Sequence, residues 1–297
     1  MVDGYDANMR RILLAVIALS ATLASAQTRI QDVIYLKKGG CAYTLDVFKP
    51  KTPNHKAVVW MISGGWFSSH DNLDAGLAGF FTNKGFTVFE VVHGSQPKYT
   101  IPEIVPQVRR ALRFVRAHAA DYDISPDAIG IGGMSAGGHL VLEIAGLATD
   151  GDPSAKDPVD RVSDRPNTVV AFFPPTDFEN WGAKGVSPIS NPAMAVFAPA
   201  FGVTKLTSKE DQAKIAHDLS PIILVKAGFP STLLIHGDAD MLVPVQQSQE
   251  LEALFESLHV VHKLIISKGT GHDGGTVKTG LEPTLAWFDE HLTVPKS

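Results

Sequence analysis

The chain has 297 residues, of which 44% are hydrophobic and 19% are charged, a composition typical of a globular protein with a large core. Its formal net charge of −5 and its lack of a basic block give no indication of binding to nucleic acid or to an anionic membrane surface. Cys41 is the single cysteine, which excludes an intramolecular disulfide and a thiolate metal cluster. We expect it to be a small buried side chain within a strand.

The first 26 residues have the pattern of a bacterial-type signal peptide. Arg10 and Arg11 precede an apolar run over residues 12–23, and Ala24-Ser25-Ala26 then forms an A-x-A cleavage signature. The apolar run is too short to cross a bilayer comfortably. We therefore expect cleavage after Ala26, a secreted or periplasmic protein without a stable membrane anchor, and a single domain over residues 27–297.

After the signal peptide, the chain alternates between strand-like and helix-like segments. A hairpin is predicted first, with strands at 33–36 and 43–48 on either side of Lys38-Gly39-Gly40. Helices are predicted at 74–84, from Pro102 to about residue 121, and after the glycines at 137 and 138. The remaining predicted strands are 56–62, 86–92, 128–132, 168–173, 232–236 and 261–266. Strands separated by helices imply an α/β fold with a mostly parallel sheet and right-handed crossovers.

One segment, residues 178–230, is longer than a single crossover helix requires. It contains Trp181, Phe197, Phe201 and several prolines. Such an insertion often covers the ligand-binding end of the sheet, so we expect a partial cap here. The alternative is an ordinary crossover helix with a long decorated loop.

The sequence Gly133-Met134-Ser135-Ala136-Gly137 lies between a predicted strand and a predicted helix. In this context G-x-S-x-G predicts a nucleophile elbow, in which a serine stands on a strained turn at the edge of the sheet. The flanking glycines let the strand and the helix approach each other closely. The alternative is a purely structural turn, because short glycine motifs also occur by chance.

A nucleophilic serine needs a base, and the base needs an orienting acid. In chains with such an elbow, the order is serine, acid, histidine. His272, in a glycine-rich loop after the last predicted strand, is the candidate base. Asp240, after the preceding strand, is the candidate acid, and Asp238 is the alternative.

The other histidines near these motifs are expected to be structural. His236 ends a predicted strand, and His139 is expected to pack or form a hydrogen bond within the first turn of the helix after Ser135. No His-x-x-x-His motif or Asp/His cluster has the spacing of a metal site. We therefore predict no metal and no cofactor.

An oxyanion hole completes the predicted site. One donor is expected to be the backbone N–H of Ala136, directly after the serine. The others are expected to be Gly64 and Gly65, in the loop after the strand at 56–62, where glycines allow close approach to a substrate. Trp66 is a candidate wall of the substrate pocket. The alternative interpretation of this loop is a plain tight turn.

Together these motifs resemble α/β-hydrolases of the esterase/lipase type, close to the hormone-sensitive-lipase-like and feruloyl-esterase-like (BD-FAE) carboxylesterases. The resemblance extends from about residue 31 to residue 292. The matching pieces are Ser63-Gly64-Gly65-Trp66, Gly133-Met134-Ser135-Ala136-Gly137-Gly138-His139-Leu140, Ser220-Pro221-Ile222, His236-Gly237-Asp238-Ala239-Asp240 with Val243-Pro244, and Gly271-His272. The resemblance implies an eight-stranded, mostly parallel sheet with helices on both faces, carboxylic ester hydrolysis, and a triad of Ser135, Asp240 and His272.

The chain departs from this family pattern at two places. Such esterases usually read His-Gly-Gly-Gly-Trp before the oxyanion donors, whereas this chain has Ile62-Ser63-Gly64-Gly65-Trp66. An isoleucine side chain cannot make the hydrogen bonds that shape the usual loop. Gln107 stands where the family usually has an aspartate, and we expect a structural role for it.

The sequence therefore predicts a secreted serine carboxylesterase that hydrolyses small or aryl carboxylic esters through an acyl-enzyme. The partner is a small-molecule ester, and no feature predicts an oligomeric state. One alternative is a serine exopeptidase or amide hydrolase on the same fold, which needs a charged pocket for a peptide amine. Another is a non-catalytic ligand-binding homologue, although such proteins typically lose the serine or the histidine.

Overall fold

The computed structural model describes residues 28–295, so the predicted signal peptide lies outside the described residues. Eight strands form one sheet in the order β1-β2-β4-β3-β5-β6-β7-β8. β1 and β2 are antiparallel, as are β2 and β4, and the other neighbours are parallel. The strands are β1 (Thr28–Lys38), β2 (Cys41–Lys49), β3 (Ala57–Ile62), β4 (Thr87–Val92), β5 (Ile129–Met134), β6 (Thr168–Phe172), β7 (Ser231–Gly237) and β8 (His262–Ser267). The predicted mostly parallel, eight-stranded α/β sheet is confirmed.

Helices cover both faces of this sheet. They are α1 (Ala75–Thr82), α2 (Ile101–Ala117), α3 (Ala136–Gly146), α4 (Lys209–Asp218), α5 (Gln246–Ser257) and α6 (Gly274–His291). One core layer joins a sheet face to α2, α3 and α5, and the other joins the opposite face to α1 and α6. The central strands are buried on both faces, which explains the unbroken apolar sequence of β3.

Local sequence sets the ends of these elements. The hairpin between β1 and β2 turns at Gly39 and Gly40, whose φ angles of +59° and +76° suit glycine. Asp74 caps α1 by accepting the N–H groups of Gly76 and Leu77. A capping box starts α2, and that helix ends at Ala117, before the predicted end.

One detail, the burial of Cys41, differs from the expectation. Cys41 is only partly buried, and its thiol lies 3.5 Å from both the Lys98 ammonium and the Tyr99 hydroxyl. Residues 178–230 contain a 3-10 helix (Pro192–Phe197), α4 and a second 3-10 helix (Pro221–Leu224). Gln107 is buried and its side-chain oxygen accepts the N–H of Gly94 at 2.8 Å, a structural contact.

The parallel strands bring four loops to one edge of the sheet. The loops after β3, β5, β7 and β8 all start at carboxyl ends of parallel strands, so they meet at that edge. These loops carry the predicted oxyanion, nucleophile, acid and base residues respectively. Within residues 28–295, no helix is both long and apolar enough to span a membrane.

Candidate active site

Ser135 occupies the turn between β5 and α3. Its φ of +53° and ψ of −120° are strained for a residue with a Cβ atom. A Cβ atom on Gly133 would lie 2.5 Å from the backbone of Gly137, and one on Gly137 would lie 2.8 Å from the carbonyl oxygen of Met61. The Ser135 N–H donates to the carbonyl of Phe172 at 2.9 Å, which ties the turn to β6. This strand–turn–helix geometry is that of a nucleophile elbow.

The structure brings the three predicted triad side chains into one hydrogen-bonded line. The Ser135 hydroxyl lies 2.9 Å from Nε2 of His272, and Nδ1 of His272 lies 2.7 Å from Oδ2 of Asp240. A carboxylate only accepts, so Nδ1 carries the proton and Nε2 is free to accept from the serine. The His272 side chain is 15% exposed and that of Asp240 is fully buried. Asp240 therefore orients the imidazole through Nδ1, and Nε2 faces the serine hydroxyl.

Asp240 is held as a carboxylate. Its Oδ1 atom accepts the N–H groups of Leu242 and Val243, each at 2.9 Å, and its Oδ2 atom lies 3.5 Å from Nε2 of His236. Burial by itself raises the pKa of Asp240, but hydrogen bonds from His236 and His272 and the charge of His272 outweigh it. The pKa of Asp240 is therefore held well below its usual range.

The alternative acid, Asp238, contacts a different part of the base loop. One of its oxygens accepts the N–H of Gly269 at 2.7 Å, and the other lies 3.1 Å from the Lys268 ammonium. The hydrogen bond from Gly269, followed by that from Lys268, lowers the pKa of Asp238. Asp238 thus fixes the loop that leads to His272, and Asp240 contacts the imidazole.

His236 is structural, as expected. It is fully buried, its Nδ1 atom lies 2.7 Å from the Ser248 hydroxyl, and its Nε2 atom donates to the carbonyl of Val243 at 2.9 Å. Across residues 28–295, no group of three or more His, Cys, Asp or Glu side chains is arranged to hold a metal ion.

Two of the three predicted oxyanion donors are available in this conformation. Ala136 begins α3, and the first N–H groups of a helix have no intrahelical acceptor. The N–H of Gly65 makes no hydrogen bond to the rest of the described chain. The N–H of Gly64, in contrast, donates to the carbonyl of Phe67 at 2.9 Å, so the expectation for Gly64 needs correction. A further bond, from the Gly137 N–H to the Ser63 carbonyl at 3.2 Å, joins the elbow to this loop.

Trp66 is buried and joins the oxyanion loop to α3 and to the insertion. Its indole N–H donates to Nδ1 of His139 at 3.3 Å, and Nε2 of His139 donates to the carbonyl of Leu219 at 2.9 Å. The Trp66 ring also packs edge-on against Phe197 and Phe201. The His139 side chain therefore bonds to residues distant in sequence, whereas its backbone N–H donates to the Ser135 carbonyl within the first helical turn. Burial lowers the pKa of His139 to about 4, so the ring is neutral at neutral pH.

An apolar pocket of about 370 Å³, including its open mouth, lies beside Ser135. The oxyanion loop, the elbow and the acid loop each supply part of its wall. Pro175, after β6, and the insertion supply the remainder, and no charged side chain lines the pocket within the described chain. The lining residues from the insertion are Phe178, Trp181, Pro188, Met194, Phe197 and Phe201.

Sequence reasoning missed the contacts that support the oxyanion loop. Gln96 is buried and donates from Nε2 to the carbonyl of Gly65 at 2.6 Å. No motif marks Gln96, and the only signal in the sequence is its place shortly after β4, at the carboxyl edge of the sheet. The contact between His139 and Leu219 links residues 80 positions apart, so it depends on tertiary structure.

Comparison with known sequences identifies the family. The BD-FAE family profile matches residues 45–255, which is more than half of the chain. The chain belongs to the BD-FAE family. The predicted resemblance to α/β-hydrolases of the esterase type is thereby confirmed.

Individual relatives and structures agree with this assignment. The chain is 30% identical to the probable carboxylic ester hydrolase LipM of Mycobacterium tuberculosis over 194 residues, which are 65% of this chain and 43% of LipM. It is 29% identical to an acetylxylan esterase of Xylanibacter ruminicola over 167 residues, 56% of this chain and 32% of that enzyme. The matches thus span less than half the length of these two relatives.

A solved structure covers nearly the whole fold. A truncated carbohydrate esterase from gut microbiota superposes with a TM-score of 0.76 at 25% identity, over 92% of this chain and 99% of that one. This chain therefore shares the α/β-hydrolase fold with that esterase.

Proposed function

We propose that this chain is a serine carboxylesterase. The observation that carries the proposal is the hydrogen-bonded line from Asp240 through His272 to the Ser135 hydroxyl. Membership of the BD-FAE family, and relatives that bear the names carboxylic ester hydrolase and acetylxylan esterase, support the same activity.

The proposed mechanism follows from the geometry. Ser135 Oγ attacks the ester carbonyl carbon while Nε2 of His272 takes its proton, and Asp240 holds the imidazole tautomer and stabilises the imidazolium. The N–H groups of Gly65 and Ala136 bind the oxyanion of the tetrahedral intermediate. The imidazolium then returns the proton to the departing alcohol, which leaves an ester on Ser135. Water hydrolyses this acyl-enzyme by the same steps with His272 again as the base.

The pocket favours esters of small or aryl carboxylic acids over peptide substrates. Its walls are apolar and aromatic, and no described lining residue carries a charge that could bind a peptide ammonium group. Trp66 forms one wall and is proposed to contact the substrate. We therefore propose a small-molecule ester as the substrate.

Replacement of the serine tests the mechanism. We expect Ser135→Ala to lower kcat for p-nitrophenyl esters by about 10⁵–10⁶-fold, as removal of a triad nucleophile does elsewhere. The variant should also lose labelling by a fluorophosphonate probe. Ser257→Ala, at the exposed end of α5, is the matched control and should behave as the wild type. Full activity of Ser135→Ala would refute the mechanism.

Export is proposed from the sequence alone. The A-x-A signature at residues 24–26 supports cleavage after Ala26 and a secreted or periplasmic location. N-terminal sequencing of protein recovered outside the cytoplasm should begin at Gln27, and an uncleaved cytoplasmic protein would contradict this.

A further inference from the structure

The segment that follows β4 forms hydrogen bonds to the oxyanion loop, residues 63–68. Gln96 is 3% exposed, and its Nε2 atom donates to the carbonyl of Gly65 at 2.6 Å. The backbone N–H of Gln96 donates to the carbonyl of Trp66 at 3.2 Å. One residue therefore binds two consecutive carbonyl groups of this loop.

Binding a carbonyl group also fixes the direction of a neighbouring N–H group. A trans peptide unit is planar, so its C=O and N–H groups point in opposite directions. The Gly64 carbonyl accepts the Phe67 N–H at 3.0 Å, which fixes the plane containing the Gly65 N–H. The Gln96 side chain fixes the next plane, between Gly65 and Trp66. Gly65 is thus held on both sides at a φ of +56°, one of several backbone conformations open to a glycine.

Two serines extend this support. The Ser68 hydroxyl donates to the Ile62 carbonyl at 2.5 Å and accepts the His93 N–H at 3.1 Å. The Ser95 hydroxyl donates to the Ser68 carbonyl and accepts the Ser68 N–H, both at 2.7 Å. The segment 93–96 therefore holds both ends of the oxyanion loop. The Ile62 side chain, which precedes the loop, has no polar group with which to hold it.

We propose that Gln96 is a positioning residue for ester hydrolysis. By binding the Gly65 carbonyl, its side-chain amide fixes the peptide plane that follows Gly65. It thereby holds Gly65 in the conformation in which the preceding plane directs the Gly65 N–H toward the developing oxyanion on the substrate. This inference rests on the proposed serine esterase function. Gln96 acts through Gly65 and does not contact the substrate itself.

The first test removes the amide donor while keeping the length of the side chain. We expect Gln96→Met to lower kcat for a p-nitrophenyl ester by about 10–100-fold with little change in KM, less than the 10²–10³-fold loss from removing an oxyanion donor outright. A trifluoromethyl ketone forms a hemiketal oxyanion on the serine, so its affinity should fall by a similar factor.

The second test uses the protonation state of a carboxyl group. Gln96→Glu places an ionised oxygen against the Gly65 carbonyl at neutral pH, whereas a protonated carboxyl group can donate to it. The ratio of the activity of Gln96→Glu to that of the wild type should therefore rise as the pH falls. A purely structural role predicts a ratio that does not change with pH.

A matched control separates catalysis from stability. Trp287 is a buried residue of α6 whose indole N–H donates to the Thr168 hydroxyl at 2.8 Å, in the core layer on the opposite face of the sheet from α2. Trp287→Phe removes a buried donor there and should lower the melting temperature without changing kcat.

Three results would overturn the inference. They are wild-type kcat and ketone affinity in Gln96→Met, an equal fall in kcat in Gln96→Met and Trp287→Phe, and a pH-independent ratio for Gln96→Glu. These results count against the inference only if the wild type is active and Ser135→Ala is inactive. In that case the proposed function is upheld and the inference about Gln96 alone is overturned. A wild type without esterase activity or fluorophosphonate labelling would overturn the proposed function and this inference together.

Discussion

Replacement of Gly65 by alanine tests the conformation of the oxyanion loop. At a φ of +56°, a side chain costs about 1–2 kcal/mol. A Cβ atom at this position would also lie 2.6 Å from Cε1 of Phe197, whereas ordinary contacts begin near 3.4 Å. Such an overlap adds about 1–3 kcal/mol unless the loop or the ring moves. Because movement of the loop displaces a proposed oxyanion donor, we expect Gly65→Ala to lower kcat by about 100-fold or more.

Two further variants separate the overlap from the backbone strain. Gly39 has a φ of +59°, and within residues 28–295 no atom beyond its chain neighbours lies within 4 Å of the position that a Cβ would occupy there. Gly39→Ala therefore carries the strain without the overlap. It should destabilise the protein by about 1–2 kcal/mol and leave kcat unchanged. Phe197→Ala, added to Gly65→Ala, should restore part of both stability and activity.

Urea unfolding and p-nitrophenyl ester kinetics measure these effects. Equal destabilisation by Gly39→Ala and Gly65→Ala, together with wild-type kcat in Gly65→Ala, would refute the reasoning about the loop. So would a failure of Phe197→Ala to change either quantity in the Gly65→Ala background.

The remaining predictions concern carboxyl groups. Asp240→Asn should lower kcat by about 10⁴-fold because the imidazole loses the partner that sets its tautomer, whereas Asp238→Asn should retain activity; the opposite ranking in ester assays would exchange the two assignments. Burial raises the pKa of Glu143, on α3, to about 8. The folded protein then keeps a proton that the unfolded chain releases, so stability falls by up to about 1.4 kcal/mol per pH unit between roughly pH 5 and 8. Glu143→Gln should reduce this slope, measured by urea unfolding at a series of pH values. Burial also raises the pKa of Glu90 to about 8, so Glu90 should contribute a slope of similar size that remains in the variant. An unchanged slope in Glu143→Gln would contradict the assignment.

The sequence predicted the elements, and it predicted that Ser135, Asp240 and His272 lie together, because these signals are local. The elbow serine is marked by glycines whose Cβ atoms would overlap backbone atoms, so the motif itself reports the close approach of strand and helix. Asp240 and His272 each follow a strand of a parallel sheet, and carboxyl ends of such strands meet at one edge. The alternation of strands and helices, together with the serine motif, was therefore enough to predict that Ser135, His272 and one of Asp238 and Asp240 lie together.

The tertiary structure decided how the oxyanion loop is held. The sequence shows only that Gly64 and Gly65 can turn freely, whereas the fold uses the Gly64 N–H in a bond to Phe67 and leaves that of Gly65 without an acceptor in the described chain. Gln96 and His139 act through contacts with residues 31 and 73–80 positions away, and no local pattern records such distances. Local motifs fix which backbone conformations are possible, and packing between distant segments selects the one that the chain adopts.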